Sequence, residues 1–494
     1  MNPFDLKTTL KPVATTKDAS ASTILVLYHG TEGKALFDAM ESHDSQLLGA
    51  LQKEQGINAL EGKTDSSAWF QTSEKTYLIV SGGDESRRDP LWIRQAVEKH
   101  LKAVWGRGVN QAGVLLVGGS DLENKILAEA AVVSTYAYQS TFSKKEEKER
   151  SIEVVGSSLS DLDLESAKIL ACGTIAAREL SILPANYATP EGVVARAKEW
   201  ANGTDLTFMV YNRRACKEMN MGCFLSVAQG SANEPQMLVM RYEPKSTQSK
   251  TKLGIVGKGV TFDTGGINLK TGMPYMGLLD MKADMGGAAA TIGGMLAIAR
   301  LKPAVPVVAV CGLTDNMVSS TATHPGDVVT HASGKTVEIQ NTDAEGRLVL
   351  SDALHVAKEE GATHLVDAAT LTGACMVALG SYYTGLMTND QDWAKKVAQV
   401  SADAGEPTWE LPLNYRHEDE IKSDVADLSN MGRGRDGGAS TAGMFLRQFV
   451  GETPWVHLDI AGSSESKDNF GKHGTAKYNG VAASSFGRLA MSLD

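Results

Sequence analysis

The sequence predicts an α/β protein of two domains, each a mostly parallel sheet flanked by helices, joined by a long connector helix. Three observations lead there. Short apolar, β-branched runs bounded by glycine alternate with segments whose apolar residues recur every three or four positions. The chain has 494 residues, more than one hydrophobic core usually carries. A long helical pattern, roughly residues 162–180, ends before Pro184 and separates two such alternating regions.

In the first region, Thr23–Tyr28, Thr76–Val80 and Gly113–Val117 read as buried strands, and Ile93–Trp105 and Asn124–Tyr138 as amphipathic helices. The charged run Lys144–Arg150 marks a domain edge or a solvated approach to a strand. The expected division is 1–160 for the N-terminal domain, 161–183 for the connector and 184–494 for a catalytic domain. Near the start of the last, Thr189-Pro190-Glu191 opens a helix with a hydroxyl cap, Pro in the first turn and an acid. Lys252–Val256, Val305–Cys311, Thr336–Gln340 and His364–Ala368 read as its later strands.

Composition narrows the function. A formal charge of −11, with 18 basic against 21 acidic side chains in the first 160 residues, argues against nucleic acid as a partner. No apolar run reaches the roughly 18–20 residues of a membrane span, and Met1–Asp18 lacks the apolar segment of a signal peptide. Five dispersed cysteines without a C-x-x-C read as reduced core thiols of a cytoplasmic protein.

Chemistry concentrates between residues 258 and 347. Gly257–Gly266 crowds Lys258 and Asp263 among glycines after a strand, where open α/β sheets place ligands. It lacks the P-loop pattern, so it reads either as a binding segment or as a plain glycine-rich turn. Asp284 precedes a helix rich in glycine and alanine, and reads as a ligand or as a helix cap. Asn341–Leu348 (NTDAEGRL) places Asp343 and Glu345 at i and i+2, on one side of an extended loop. Arg347 is one candidate for the cation between them. Together, Asp263, Asp284, Asp343 and Glu345 form a set of buried negative charges that two divalent metals would balance. No HExxH pattern is present, and His324 and His331 read as surface or packing residues. A dinuclear carboxylate centre points to hydrolysis, since it can bridge a water, lower its pKa and polarise the electrophile. Lys258, if buried beside metals, would lose its proton and ligate as a neutral amine. Lys270 would face the same pocket as an ammonium, or the solvent as an ordinary surface lysine.

These segments resemble the cytosolic leucyl aminopeptidase family, whose NTDAEGRL signature stands unchanged at Asn341–Leu348. Val256–Gly266, Ala283–Ala289, Ala369–Gly373 and Trp455–Gly462 resemble it too. The resemblance implies that Lys258, Asp263, Asp284 and Glu345 hold a tighter metal, and Asp263, Asp343 and Glu345 a more exchangeable one. The metals would be zinc or manganese, with magnesium a further choice. It further implies Lys270 as oxyanion stabiliser and Arg347 as the holder of a bicarbonate general base. Met281, Thr370 and Gly373 would line the pocket for the substrate's first side chain, and Leu371 would meet the intermediate through its backbone. The implied function is cytoplasmic removal of N-terminal residues, leucine and other apolar ones preferred, from peptides by a homohexamer. An additional DNA-binding regulatory role of the same fold is the alternative. The stretch Lys270–Asp284 is longer than in familiar members, which leaves Asp280 as a rival to Asp284.

Overall fold

The computed structural model describes residues 2–30, 34–43, 47–49, 51, 64–146, 148–247, 249–272, 275–434, 436–465 and 477–493. The chain forms two compact units, one of residues 3–172 with 402–405, the other of 173–401 with 406–494. The helix Asp161–Ile182 runs from the first into the second. Among the described residues no helix is long and apolar enough to cross a membrane.

In the first unit, six strands β1 (Thr8–Val13), β2 (Thr23–Tyr28), β3 (Ser66–Gln71), β4 (Thr76–Ser81), β5 (Gln111–Leu116) and β6 (Arg150–Val155) lie in the order β1-β6-β5-β2-β4-β3. All pair in parallel except β3, which meets β4 antiparallel. β2 is buried along its whole length, as expected of a strand covered on both faces. The run Lys144–Arg150 leads directly into β6 of this same unit, so it is the approach to a strand and no domain edge.

The second unit carries β7 (Thr207–Tyr211), β8 (Gln236–Tyr242), β9 (Leu253–Asp263), β10 (Val307–Asn316), β13 (His364–Ala369), β14 (Thr384–Thr388), β15 (Thr408–Glu410) and β17 (Trp455–Asp459), in the order β15-β14-β17-β13-β9-β10-β8-β7. Its centre, β17, β13, β9 and β10, is parallel. A small sheet of β11 (Val328–Thr330), β12 (Thr336–Glu338) and β16 (Leu428–Ser429) stands beside it. Thr189 caps the helix Pro190–Trp200 by accepting from the Gly192 N–H at 3.1 Å.

The expected strand Lys252–Val256 is too short. β9 continues through Gly257-Lys258-Gly259 to Asp263, so Lys258 sits in a central strand and not in a glycine-rich turn. The glycines serve packing. A Cβ on Gly257 would lie 2.7 Å from Ala288 Cα in the helix Gly286–Leu301, and one on Gly287 only 1.9 Å from the Ala368 carbonyl oxygen. That helix therefore rests directly on β9 and β13. Side chains at these positions would lift it away and carry Asp284, two residues before its start, with it.

This close approach gives a direct test. Gly287→Ala should destabilise the protein by about 1–3 kcal/mol or more through overpacking, read as a lowered thermal midpoint. An unchanged midpoint would mean that the helix can move out without cost.

A candidate metal centre at the end of the central sheet

The site lies where β9, β10 and β13 end, the carboxyl edge at which parallel sheets present ligand-binding loops. In a regular strand Lys258 and Asp263, five residues apart, would point to opposite faces. β9 avoids this by a register shift. Val260 pairs with Thr314 and Asp263 with Asn316, three steps along β9 against two along β10. The extra residue restores the side-chain parity, so Lys258 and Asp263 face the same site, as bulges beside active sites do.

Two lysines thread the carboxylates. Lys258 Nζ lies 2.8 Å from Asp284 and 2.9 Å from Glu345 Oε1, and donates to the Thr370 carbonyl at 2.7 Å. Lys270 Nζ lies 2.7 Å from Asp263 Oδ2 and 2.6 Å from Asp343 Oδ1. Lys270 is thus no surface lysine. Gly346 makes the first contact set feasible, because a Cβ there would lie 2.7 Å from Lys258 Cε. Asp284 does not cap the helix that follows, whose N-cap position is Met285. It accepts from Thr370 Oγ1 at 2.7 Å in addition to Lys258.

The signature segment is not extended. Asn341–Ala344 forms a turn closed by Ala344 N–H to the Asn341 carbonyl at 3.2 Å, with Asn341 Oδ1 accepting from the Asp343 N–H at 2.8 Å. Asp343 therefore reaches Lys270 while Glu345, already helical at the start of Gly346–Glu359, reaches Lys258. The turn, and not i,i+2 alternation, brings both into the site. Arg347 is not the cation between them. It is buried and donates from Nη1 to the Asn430 carbonyl at 2.9 Å.

Burial acts on every charge here. It raises the pKa of Glu345 foremost, with repulsion from Asp263 and Asp284 adding to it against the two lysines. Asp284 is raised by burial first and by Asp263 as well, and Asp343 follows the same pattern. Burial by itself would discharge Lys258, yet Asp284, Glu345 and Asp263 outweigh it and hold the ammonium above its ordinary value. The expected neutral amine is therefore not favoured by carboxylates alone. Arg347 is lowered to about 10 by burial, with Glu345 and Asp459 working against the shift.

The donor set fits a divalent cation. Asp263, Asp284 and Glu345 each offer a ligand atom, all within 4.8 Å of one another. Glu345 Oε2 is buried with no hydrogen-bond partner among the described residues. Four carboxylates against two ammonium groups leave an excess of two negative charges. Oxygen-rich donors of this kind suit hard or borderline ions. Arg347 Nε is likewise buried without a partner, which suits a small planar anion.

Asp284, and not its rival Asp280, stands against Lys258. Asp280 pairs with Lys477 and accepts from Tyr478 Oη at 3.3 Å, away from Lys258. Met273 and Pro274 of the lengthened stretch lie outside the described residues. Met281 stands half-buried in the 3₁₀ turn Met281–Ala283, and Gly373 opens the helix Gly373–Leu379. Asp459 pins the intervening loop, accepting from the Leu371 N–H at 3.3 Å and Thr372 Oγ1 at 2.6 Å. His331 is buried against Phe449 and His324 is exposed, the packing and surface roles expected. All five cysteines are buried and none is in a disulfide.

Sequence reasoning missed two asparagines. Asn430, after β16, accepts from the Gln340 N–H at 2.9 Å and donates to the Asn341 carbonyl at 2.7 Å, holding the signature turn. Asn316 ends β10 beside Asp263. No local pattern marks Asn430, whereas Asn316 was findable as a polar residue at a central strand's carboxyl end.

Residues 175–486 match the catalytic-domain model of the cytosol aminopeptidase family (peptidase M17). The chain belongs to the cytosol aminopeptidase family. It is 42% identical over 423 residues to a probable cytosol aminopeptidase of Solibacter usitatus, covering 84% of this chain and 86% of that relative. With a probable cytosol aminopeptidase of Alkaliphilus metalliredigens it shares 37% identity over 495 residues, covering 95% and 97%. With one of Koribacter versatilis it shares 47% over 351 residues, covering 70% and 68%. The protein is accordingly a metal-dependent aminopeptidase, a metallo-exopeptidase of the leucyl aminopeptidase type.

The raised Glu345 carboxyl sets a pH dependence for the metal-free aminopeptidase. Its pKa moves from 4.5 towards about 8 on folding, so the folded state holds a proton that the unfolded chain releases. The resulting stabilisation is full below about pH 4.5 and is lost as pH rises through about 8. Glu345→Gln should flatten this decline in chelator-treated protein followed by thermal unfolding between pH 5 and 8.5. A wild-type slope in the variant would place the proton elsewhere.

Proposed function

We propose that the protein removes leucine and other apolar N-terminal residues from peptides at a centre of two divalent cations, zinc or manganese, with magnesium a further choice. The observation that carries this reading is the convergence of four carboxylates and two lysines at one sheet edge, with a Glu345 oxygen that has no hydrogen-bond partner among the described residues. Lys258, Asp263, Asp284 and Glu345 are assigned to the tighter cation, and Asp263, Asp343 and Glu345 to the exchangeable one. Bound there, the cations supply Lewis acidity and a water that is nucleophilic at neutral pH.

The chain's own groups do the rest. Lys270 keeps its proton because Asp263, Glu345 and Asp343 outweigh its burial. A fixed ammonium at the pocket edge stabilises an oxyanion that develops on the scissile carbonyl. Lys258 loses its proton when cations replace the carboxylates' excess negative field. Arg347 holds bicarbonate, which supplies a general base; its buried, unpartnered Nε supports that role. Met281, Thr370 and Gly373 line the pocket for the first side chain, and Leu371 contributes backbone. A Cβ on Gly373 would meet nothing within 4 Å, leaving room for an apolar side chain. The working form is a cytoplasmic homohexamer.

Hydrolysis of leucine p-nitroanilide should vanish on chelation and return with Mn²⁺ or Zn²⁺. Activity indifferent to chelation would refute the reading. Lys270→Ala should retain its metal, counted by mass spectrometry of the eluted ions, while kcat falls about 10²–10³-fold, as for a lost oxyanion donor. Normal turnover in that variant would remove Lys270 from the chemistry. Glu345→Ala should lose metal and activity together.

A further inference from the structure

Asn316 is 4% exposed and grips both halves of the site from a strand that supplies no ligand. Its Nδ2 donates to Asp263 Oδ1 at 2.8 Å and to the Thr342 carbonyl at 3.0 Å. The same Asp263 Oδ1 accepts from the Gly265 N–H at 2.8 Å. The other oxygen, Oδ2, meets Lys270 Nζ. Thr342 completes the ring, donating from Oγ1 to the Gly265 carbonyl at 2.7 Å and accepting from the Asn268 N–H at 2.9 Å.

We propose that Asn316 is a positioning residue that presents Asp263 to cations through Oδ2 alone and fixes the spacing between Asp263 and the signature turn. The inference rests on the cation-centre reading above. Two N–H donors on Oδ1 define one carboxylate orientation and occupy that oxygen, so a cation shared by Asp263 meets a single atom. The second Nδ2–H holds the Thr342 carbonyl, one residue before Asp343. Because Asn316 pairs with Asp263 across the register shift, the feature that turns Asp263 inward also delivers its amide partner. A neutral amide suits the place: Asp there would repel Asp263, and an apolar residue would leave Thr342 O and one lobe of Oδ1 unpaired.

The test uses full-length protein stripped of metal, titrated calorimetrically with Mn²⁺, beside kinetics on leucine p-nitroanilide. Asn316→Leu keeps the volume and removes the donor. It should stay folded when metal-free, melting lower because two buried acceptors lose their donor, yet bind Mn²⁺ about 10–100-fold more weakly, the usual cost of losing a group that orients a metal ligand. At saturating Mn²⁺ its kcat, expressed per competent site counted by the calorimetric stoichiometry, should stay reduced while KM changes little, which a smaller fraction of folded protein cannot produce once sites are counted. Wild-type affinity in the folded Leu variant overturns the proposal. Should that variant fail to fold, Asn316→Ser, which retains one donor, is read the same way, and wild-type Mn²⁺ affinity there also overturns it. If the wild-type protein itself binds no Mn²⁺, the cation-centre reading fails, a result distinct from a normal titration in both proteins.

Discussion

Four carboxylates gathered where little water reaches repel one another strongly, and most of the catalytic unit is arranged around that repulsion. Desolvation penalises each charge, and mutual Coulomb energy adds to it in a medium that screens poorly. Lys258 and Lys270 each bridge two acids, which lowers the excess without cancelling it. Burial first, and repulsion from the neighbouring acids after it, raise the pKa of Glu345 and Asp284. A site in this condition suits a cation, whose binding would relieve that repulsion.

Holding such a cluster requires rigid support. Asp263 ends the central strand β9, Asp284 lies two residues before one helix and Glu345 at the start of another, each at or beside a regular element. Glycines at 257 and 287 let a helix lie against the sheet, and glycine at 346 admits the Lys258 stem. Neutral amides do the fine adjustment. Asn430 ties the signature turn to the small sheet and Asn316 ties Asp263 to that turn. Acidic groups in those places would add to the repulsion, while amides orient acceptors without altering the net charge.

Much of this was legible from residue types. The four acids and two lysines were identified from their spacing and glycine-rich surroundings, and all six converge. Three local details were not legible. Glycines suggested a turn at Lys258 because their packing partner, a helix some thirty residues away, is invisible in the sequence. An i,i+2 pattern suggested an extended loop at Asp343, whereas Asn341 folds it into a turn through its own side chain. Arg347 looked like a partner for neighbouring acids, but its chain position sends it to the Asn430 carbonyl instead.

The sequence by itself determined the α/β class, which acids and lysines gather at one sheet edge, and the family. Each follows from residue types and short-range order, which the chain carries before it folds. Tertiary structure alone decided that Asp284 and not Asp280 meets Lys258, that a register shift turns Asp263 to the Lys258 side, and that Asn316 grips Asp263 while Asn430 grips the signature turn. These are contacts between residues far apart in the chain. They depend on how strands pair and how closely a helix can approach, distances that no local pattern encodes.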